Sequence, residues 1–146
     1  MIEVRQARDE ADLQAAVALR RAVFVDEQGV TPQDEDDGRD ADALHLVVVE
    51  GDAVIGTCRL LKEGATVKLS RMAVARHARG RGLASQLLRE AELQASALGA
   101  TRIALAAQTY AVGLYARAGY TPRGSRFYDA GIEHLTMEKE LPGSRG

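Results

Sequence analysis

Apolar and polar residues alternate from Ile2 to Ala7, which predicts a short first strand. Helical spacing follows at once. Leu13, Val17, Leu19, Val23 and Phe24 make an apolar stripe behind Asp9, a residue suited to cap a helix start. The stripe stops at Glu27-Gln28-Gly29, and Pro32 marks a loop. A valine-rich run at 44–50, the Gly51-Asp52 turn and residues 53–62 predict a hairpin, and Glu63-Gly64 leads into a third antiparallel strand at 66–74. The longest helix comes next, from about Arg81 to Leu98, with Leu83, Leu87, Ala91 and Leu98 at helical spacing and Gly99 as its stop. Residues 101–107 read as a buried strand with a parallel neighbour, 108–118 as a short helix, and 120–129 with 132–140 as a last hairpin around Ala130-Gly131.

The order is β-α-β-β-β-α-β-α-β-β, an α/β (α+β) chain with a mixed, mostly antiparallel sheet flanked by helices. The strand–helix–strand unit at 67–107 forces one parallel contact. With 146 residues, 46% of them hydrophobic, the expectation is a single domain over 1–141 and a frayed tail at 142–146. A net charge of −2 argues against nucleic acid as the main partner. The lone Cys58 excludes an internal disulfide and a cysteine-built metal site, and fits a reducing compartment; its strand position reads as core. The three histidines lack the close spacing of a metal site, so no metal is expected. No apolar run is long enough for a membrane span, and the chain starts in alternating residues rather than in a leader. A cytoplasmic protein that uses no membrane is the expectation.

Two stretches carry the chemistry. The first is Arg79-Gly80-Arg81-Gly82-Leu83-Ala84, at a strand-to-helix junction. Glycines let backbone approach a ligand, and a helix start offers unpaired N–H groups and the positive end of its dipole. Arginines add forked donors, so an anionic, phosphorylated ligand suits the place. The plainer reading is a glycine-rich turn beside two solvated arginines. No Gly-Lys-Ser/Thr follows, which excludes a Walker loop. The second stretch has six acids, Asp34, Glu35, Asp36, Asp37, Asp40 and Asp42, against Arg39 alone. Such density predicts a solvated, mobile loop, or an electrostatic lure for a cationic acceptor such as an amine.

The order of elements and the Arg-x-x-Gly-x-Ala motif at Arg79, Gly82 and Ala84 resemble the GCN5-related N-acetyltransferase (GNAT) superfamily. Residues 69–74 before the motif and Leu114-Tyr115-Ala116-Arg117-Ala118-Gly119-Tyr120 after it extend the resemblance. Arg21 to Gln28, the acidic loop leading to His45, Gln108, and Gly131-Ile132-Glu133-His134 through Met137 look like its ElaA/YjcF-like branch.

This resemblance implies a sheet of about seven strands, splayed between the fourth and fifth, and an N-acetyltransferase that takes acetyl-CoA as co-substrate. It places the coenzyme pyrophosphate on Arg79, Gly80, Arg81, Gly82, Leu83 and Ala84. The pantetheine arm would run along Met72, Ala73 and Val74, with Gln108 and Tyr115 close by. Tyr115 would protonate the departing thiolate. The base stays open among Glu27, His45 and His134. Glu27, Arg59 and Arg71 are candidates for acceptor binding. Arg59 and Arg71 are expected roughly opposite each other on adjacent strands, where like charges need an acidic partner. That partner is a first-helix carboxylate such as Glu27, or an anionic group on the acceptor. The acceptor itself is a small-molecule primary amine, or a protein lysine or N-terminus. A coenzyme A-binding sensor without catalysis is the reading from another class. The terminal strands offer an edge for a homodimer.

Overall fold

The computed structural model describes residues 1–142; the rest of the expected tail lies outside the described residues. Strand β1 (Ile2–Gln6) leads to helix α1 (Glu10–Arg20), whose start is capped by Asp9 accepting the Asp12 N–H. The helix does not stop there. It widens into a π-helical turn, Arg21–Glu27, that closes with the Gln28 N–H on the Val23 carbonyl at 3.1 Å. A four-residue helix α2 (Pro32–Glu35) and a 3-10 turn (Asp40–Asp42) then occupy the acidic stretch. The rest is β2 (Leu44–Glu50), β3 (Ala53–Glu63), β4 (Thr66–Val74), α3 (Leu83–Ala97), β5 (Arg102–Gln108), α4 (Val112–Arg117), β6 (Thr121–Asp129) and β7 (Ile132–Glu140).

Seven strands form one sheet in the order β1-β2-β3-β4-β5-β7-β6. Among the described residues only β4 and β5 pair in parallel. Their pairing runs from Thr66 opposite Arg102 to Leu69 opposite Leu105 and goes no further, so the expected splay opens beyond Leu69. The core joins Leu46, Val48, Ile55, Leu60, Ile103 and Met137 of the sheet to Leu83, Leu87 and Leu88 of α3. Close packing of α3 needs a glycine at 56, where a Cβ would meet Val48 at 3.0 Å and Leu87 at 3.4 Å.

Two expectations are corrected. The acidic stretch is not a free, solvated loop. Thr31 caps α2, and Glu35 is buried (3% exposed) against the buried Arg20, Nη2 to Oε2 at 2.7 Å. Asp40 takes Arg20 Nη1 at 2.9 Å and Arg59 Nη1 at 3.1 Å, and Asp37 takes Arg59 Nη2 at 2.7 Å. Three of the six carboxylates, Glu35, Asp37 and Asp40, are thus spent on arginines and are poor lures. The second correction is one of register. The hairpin register, unbroken from Glu63 opposite Thr66, sets Arg59 opposite Ser70, to whose hydroxyl its Nε donates at 3.1 Å, and a bulge follows between Arg59 and Thr57. Arg71 stands on the bulge with φ +57° and reaches Glu35, Nε to Oε2 at 3.2 Å, and Asp37 at 3.5 Å. The two arginines are therefore joined by the acidic segment and not by Glu27.

Candidate active site

Downstream of Leu69, β4 has no partner on its β5 side, and the gap is a cavity of about 640 Å3. Met72, Ala73 and Val74 line one wall, Ala106 and Gln108 the other, and the acidic segment closes a third side through Asp34, Glu35 and Asp37. A second cavity of about 220 Å3 lies over the start of α3, lined by Gly80, Gly82, Leu83 and Ser85 among others. Both cavities share Val74, Arg79, Ala84 and Leu114, so they meet at the end of β4.

The α3 start has the donor set that an anion needs. Gly82 is its cap residue, at φ +75° and with no side-chain cap. The first intrahelical bond runs from the Gln86 N–H to the Gly82 carbonyl at 3.2 Å, which leaves the amides of Leu83, Ala84 and Ser85 without helical acceptors. A Cβ built on Gly80 or Gly82 would meet nothing within 4 Å, so the loop's surface is open backbone. A pyrophosphate fits this place by chemistry and by room. Of the two arginines, Arg79 borders both cavities; its Nε donates to the Val74 carbonyl at 3.0 Å and its Nη2 pairs with Glu27 at 2.9 Å. Arg81 lines neither cavity and pairs with Glu50 at 2.7 Å.

Tyr115, on α4, lines the large cavity while its ring is buried edge-on against Tyr120, with centroids 6.0 Å apart. Among the described residues no group hydrogen-bonds its hydroxyl. Burial pushes its pKa well above the usual tyrosine range, so the phenol keeps its proton. His134, on β7, faces Gln108 across the β5–β7 ladder and lines the same cavity. Its Nδ1 lies 2.7 Å from the Ile132 carbonyl. A carbonyl can only accept, so Nδ1 donates to it; in the neutral ring Nε2 then carries the lone pair, and among the described residues no group bonds it. Phe127 stacks on the ring at 5.7 Å between centroids and holds its plane.

His45 is elsewhere. It is buried, it does not line the cavity, and its Nε2 donates to the Asp40 carbonyl at 2.9 Å. The geometry makes it a brace for the acidic segment. Gln108 Nε2 donates to Gln28 Oε1 at 2.8 Å, tying β5 to the end of the first helical run. Cys58 is core, with its thiol pushed up to about 12 by burial. Among the described residues no group of His, Cys, Asp and Glu could hold a metal ion, and no helix is long and apolar enough to cross a membrane.

Sequence reasoning missed several residues of the site. Gln28 lines it, as do Asp129 and the 80%-exposed Tyr110. Ala106 is exposed in mid-strand, which an all-small run at 104–107 except Leu105 could have signalled as an open sheet face. The fit of acids 35, 37 and 40 to Arg20, Arg59 and Arg71 had no local signal.

A family model described as "Acetyltransferase (GNAT) domain" matches residues 9–141. The chain is 35% identical over 135 residues to the uncharacterised N-acetyltransferase YjcF of Bacillus subtilis, covering 92% of this chain and 96% of that one. Among solved structures it is similar to Escherichia coli ElaA, with a TM-score of 0.85 at 27% identity over 96% of this chain and 100% of that one. It is also similar to an acyl-CoA N-acyltransferase from Pseudomonas aeruginosa, with a TM-score of 0.83 at 28% identity over 95% and 98%. With the splayed sheet and the pivot loop, these likenesses make the chain a member of the GNAT family, in its ElaA/YjcF-like branch, and an acyl-CoA N-acyltransferase.

Proposed function

We propose that this enzyme moves an acetyl group from acetyl-CoA to the primary amine of a small molecule, by direct attack within a ternary complex. Enzymes of this family use acetyl-CoA, which supplies an activated acyl thioester. The observation that carries the reading is one continuous path. It runs from the free amides at Leu83 to Ser85, past Val74, into the splay where Tyr115 and His134 both open.

Each residue has a task suited to its surroundings. The amides of residues 80–84 and Arg79 bind the pyrophosphate, and the unpaired edge at Met72 to Val74 holds the arm as an added strand would. His134 Nε2 takes a proton from the amine as its nitrogen bonds the acyl carbon. Tyr115 gives its proton to the sulfur as the carbon–sulfur bond breaks, and regains one from solvent. A phenol that burial keeps protonated suits the donor, and a histidine whose other nitrogen is already committed suits the acceptor.

A small acceptor is favoured because Arg20, Arg59 and Arg71 fix the acidic segment as a wall; a peptide would need an open groove there. The test is free-thiol release from acetyl-CoA with a panel of amines, polyamines, aminosugars and lysine peptides. Turnover with small amines supports the reading. Turnover with peptides alone would replace it by protein acetylation. Tyr115→Phe and His134→Gln should each lower kcat by about 10²–10⁴-fold and leave the coenzyme A Kd unchanged. Full turnover in either variant would remove that residue from the mechanism.

A further inference from the structure

The sequence offers Glu27 as a base or acceptor ligand, yet its carboxylate is already engaged. The π-helical turn ends at Glu27 and carries it to the pivot loop, where Oε1 lies 2.9 Å and Oε2 3.1 Å from Arg79 Nη2. Nε, on the same edge of that guanidinium, donates to the Val74 carbonyl at 3.0 Å. Arg79 stands at the junction of the two cavities, and Glu27 lines the larger. The pair therefore straps the first helical run to the coenzyme loop across the point where the cavities meet.

We infer that Glu27 is a positioning residue that competes with the coenzyme phosphate for Arg79, and is not the general base. This rests on the coenzyme reading given above. With Nε tied to a carbonyl, a forked phosphate contact needs Nη1 and Nη2 together, and Glu27 already holds Nη2. Arg81 offers no substitute, because Glu50 holds it away from both cavities. Coenzyme binding then includes the exchange of a carboxylate for a phosphate. The displaced carboxylate is left beside the large cavity, where a cationic amine must enter. Coenzyme and amine should favour each other's binding by this exchange.

The experiment is titration calorimetry of the full chain with coenzyme A itself, on wild type, Glu27→Gln and Asp26→Asn. Both side chains of the Glu27–Arg79 pair are partly exposed, so the strap is weak. Its removal should tighten coenzyme A about twofold to fivefold. Asp26→Asn removes the same charge one residue away, within a Debye length, without touching Arg79; it should leave the Kd unchanged. Equal tightening in both variants would make the effect general electrostatics and overturn the inference. An unchanged Kd in Glu27→Gln together with a fall in kcat would restore Glu27 as base and overturn it too. A natively folded wild type that gives no heat with coenzyme A would sink the coenzyme reading, and this inference with it.

Discussion

Replacing Glu35 by glutamine keeps the side chain's shape and removes one charge from a balanced cluster. Arg20, Arg59 and Arg71 face Glu35, Asp37 and Asp40; the variant leaves three guanidinium groups against two carboxylates. Arg20 is 1% exposed and Glu35 3%, so water cannot compensate. Breaking a buried pair from one side costs about 3–5 kcal/mol. Asp40 still holds Arg20 Nη1, and the new amide can accept one bond, so the lower end applies: about 3 kcal/mol. Against a typical stability of about 5–15 kcal/mol that is a large share. It corresponds to a Tm loss of about 10 °C in a chain of this size. Urea unfolding followed by circular dichroism reads it as a lower midpoint at unchanged slope. Glu50→Gln is the control. Its pair with Arg81 has the same 2.7 Å length, but both side chains are 38% exposed, and the midpoint should not move. A loss below about 1 kcal/mol in Glu35→Gln would refute the reasoning, since burial would then not separate the two pairs.

Three further outcomes follow from the same geometry. The Arg59 guanidinium holds the Asp37 carboxyl well below the usual carboxylate range, so the unfolded chain binds protons first, and the stability from this pair is present above about pH 4 and lost as pH falls below it. Asp37→Asn should flatten that loss between about pH 4 and 2 in urea midpoints; parallel curves would remove Asp37 as its source. Cys58, buried and with its thiol raised to about 12, should resist a thiol reagent at pH 8 in the native state and react after unfolding. Fast native labelling would contradict its placement. Gly82→Ala forces an alanine into φ +75°, a strain of about 1–2 kcal/mol. Relief by rotating the loop misaims its amides, so coenzyme A should bind about tenfold more weakly; an unchanged Kd would show that the amides after Gly82 are not the site.

What a residue does alone or with its near neighbours was readable from the chain. Alternation at Ile2–Ala7 and 44–50, the Asp9 cap and the helical spacing of Leu83, Leu87 and Ala91 all act within a few residues, so the elements came out close to where the fold has them. The Arg79–Ala84 loop was legible for the same reason, because its donors are consecutive backbone amides. The charged groups were not. Glu35 meets Arg20 across 15 residues and Arg71 across 36, and Glu27 meets Arg79 across 52. Nothing local distinguishes a solvated acid from one buried on an arginine. Chain closure decides it, since only the packed sheet puts β3 and β4 under the acidic segment. The turn register puts Arg59 opposite Ser70, and the bulge after it carries Arg71. The two strand histidines make the point most simply. Both occupy strands and each gives one ring nitrogen to a carbonyl, His45 to Asp40 and His134 to Ile132, but of the two His134 lines the large cavity and His45 does not. Pattern placed each on a strand; only the packing of the sheet decided which ring borders the cavity.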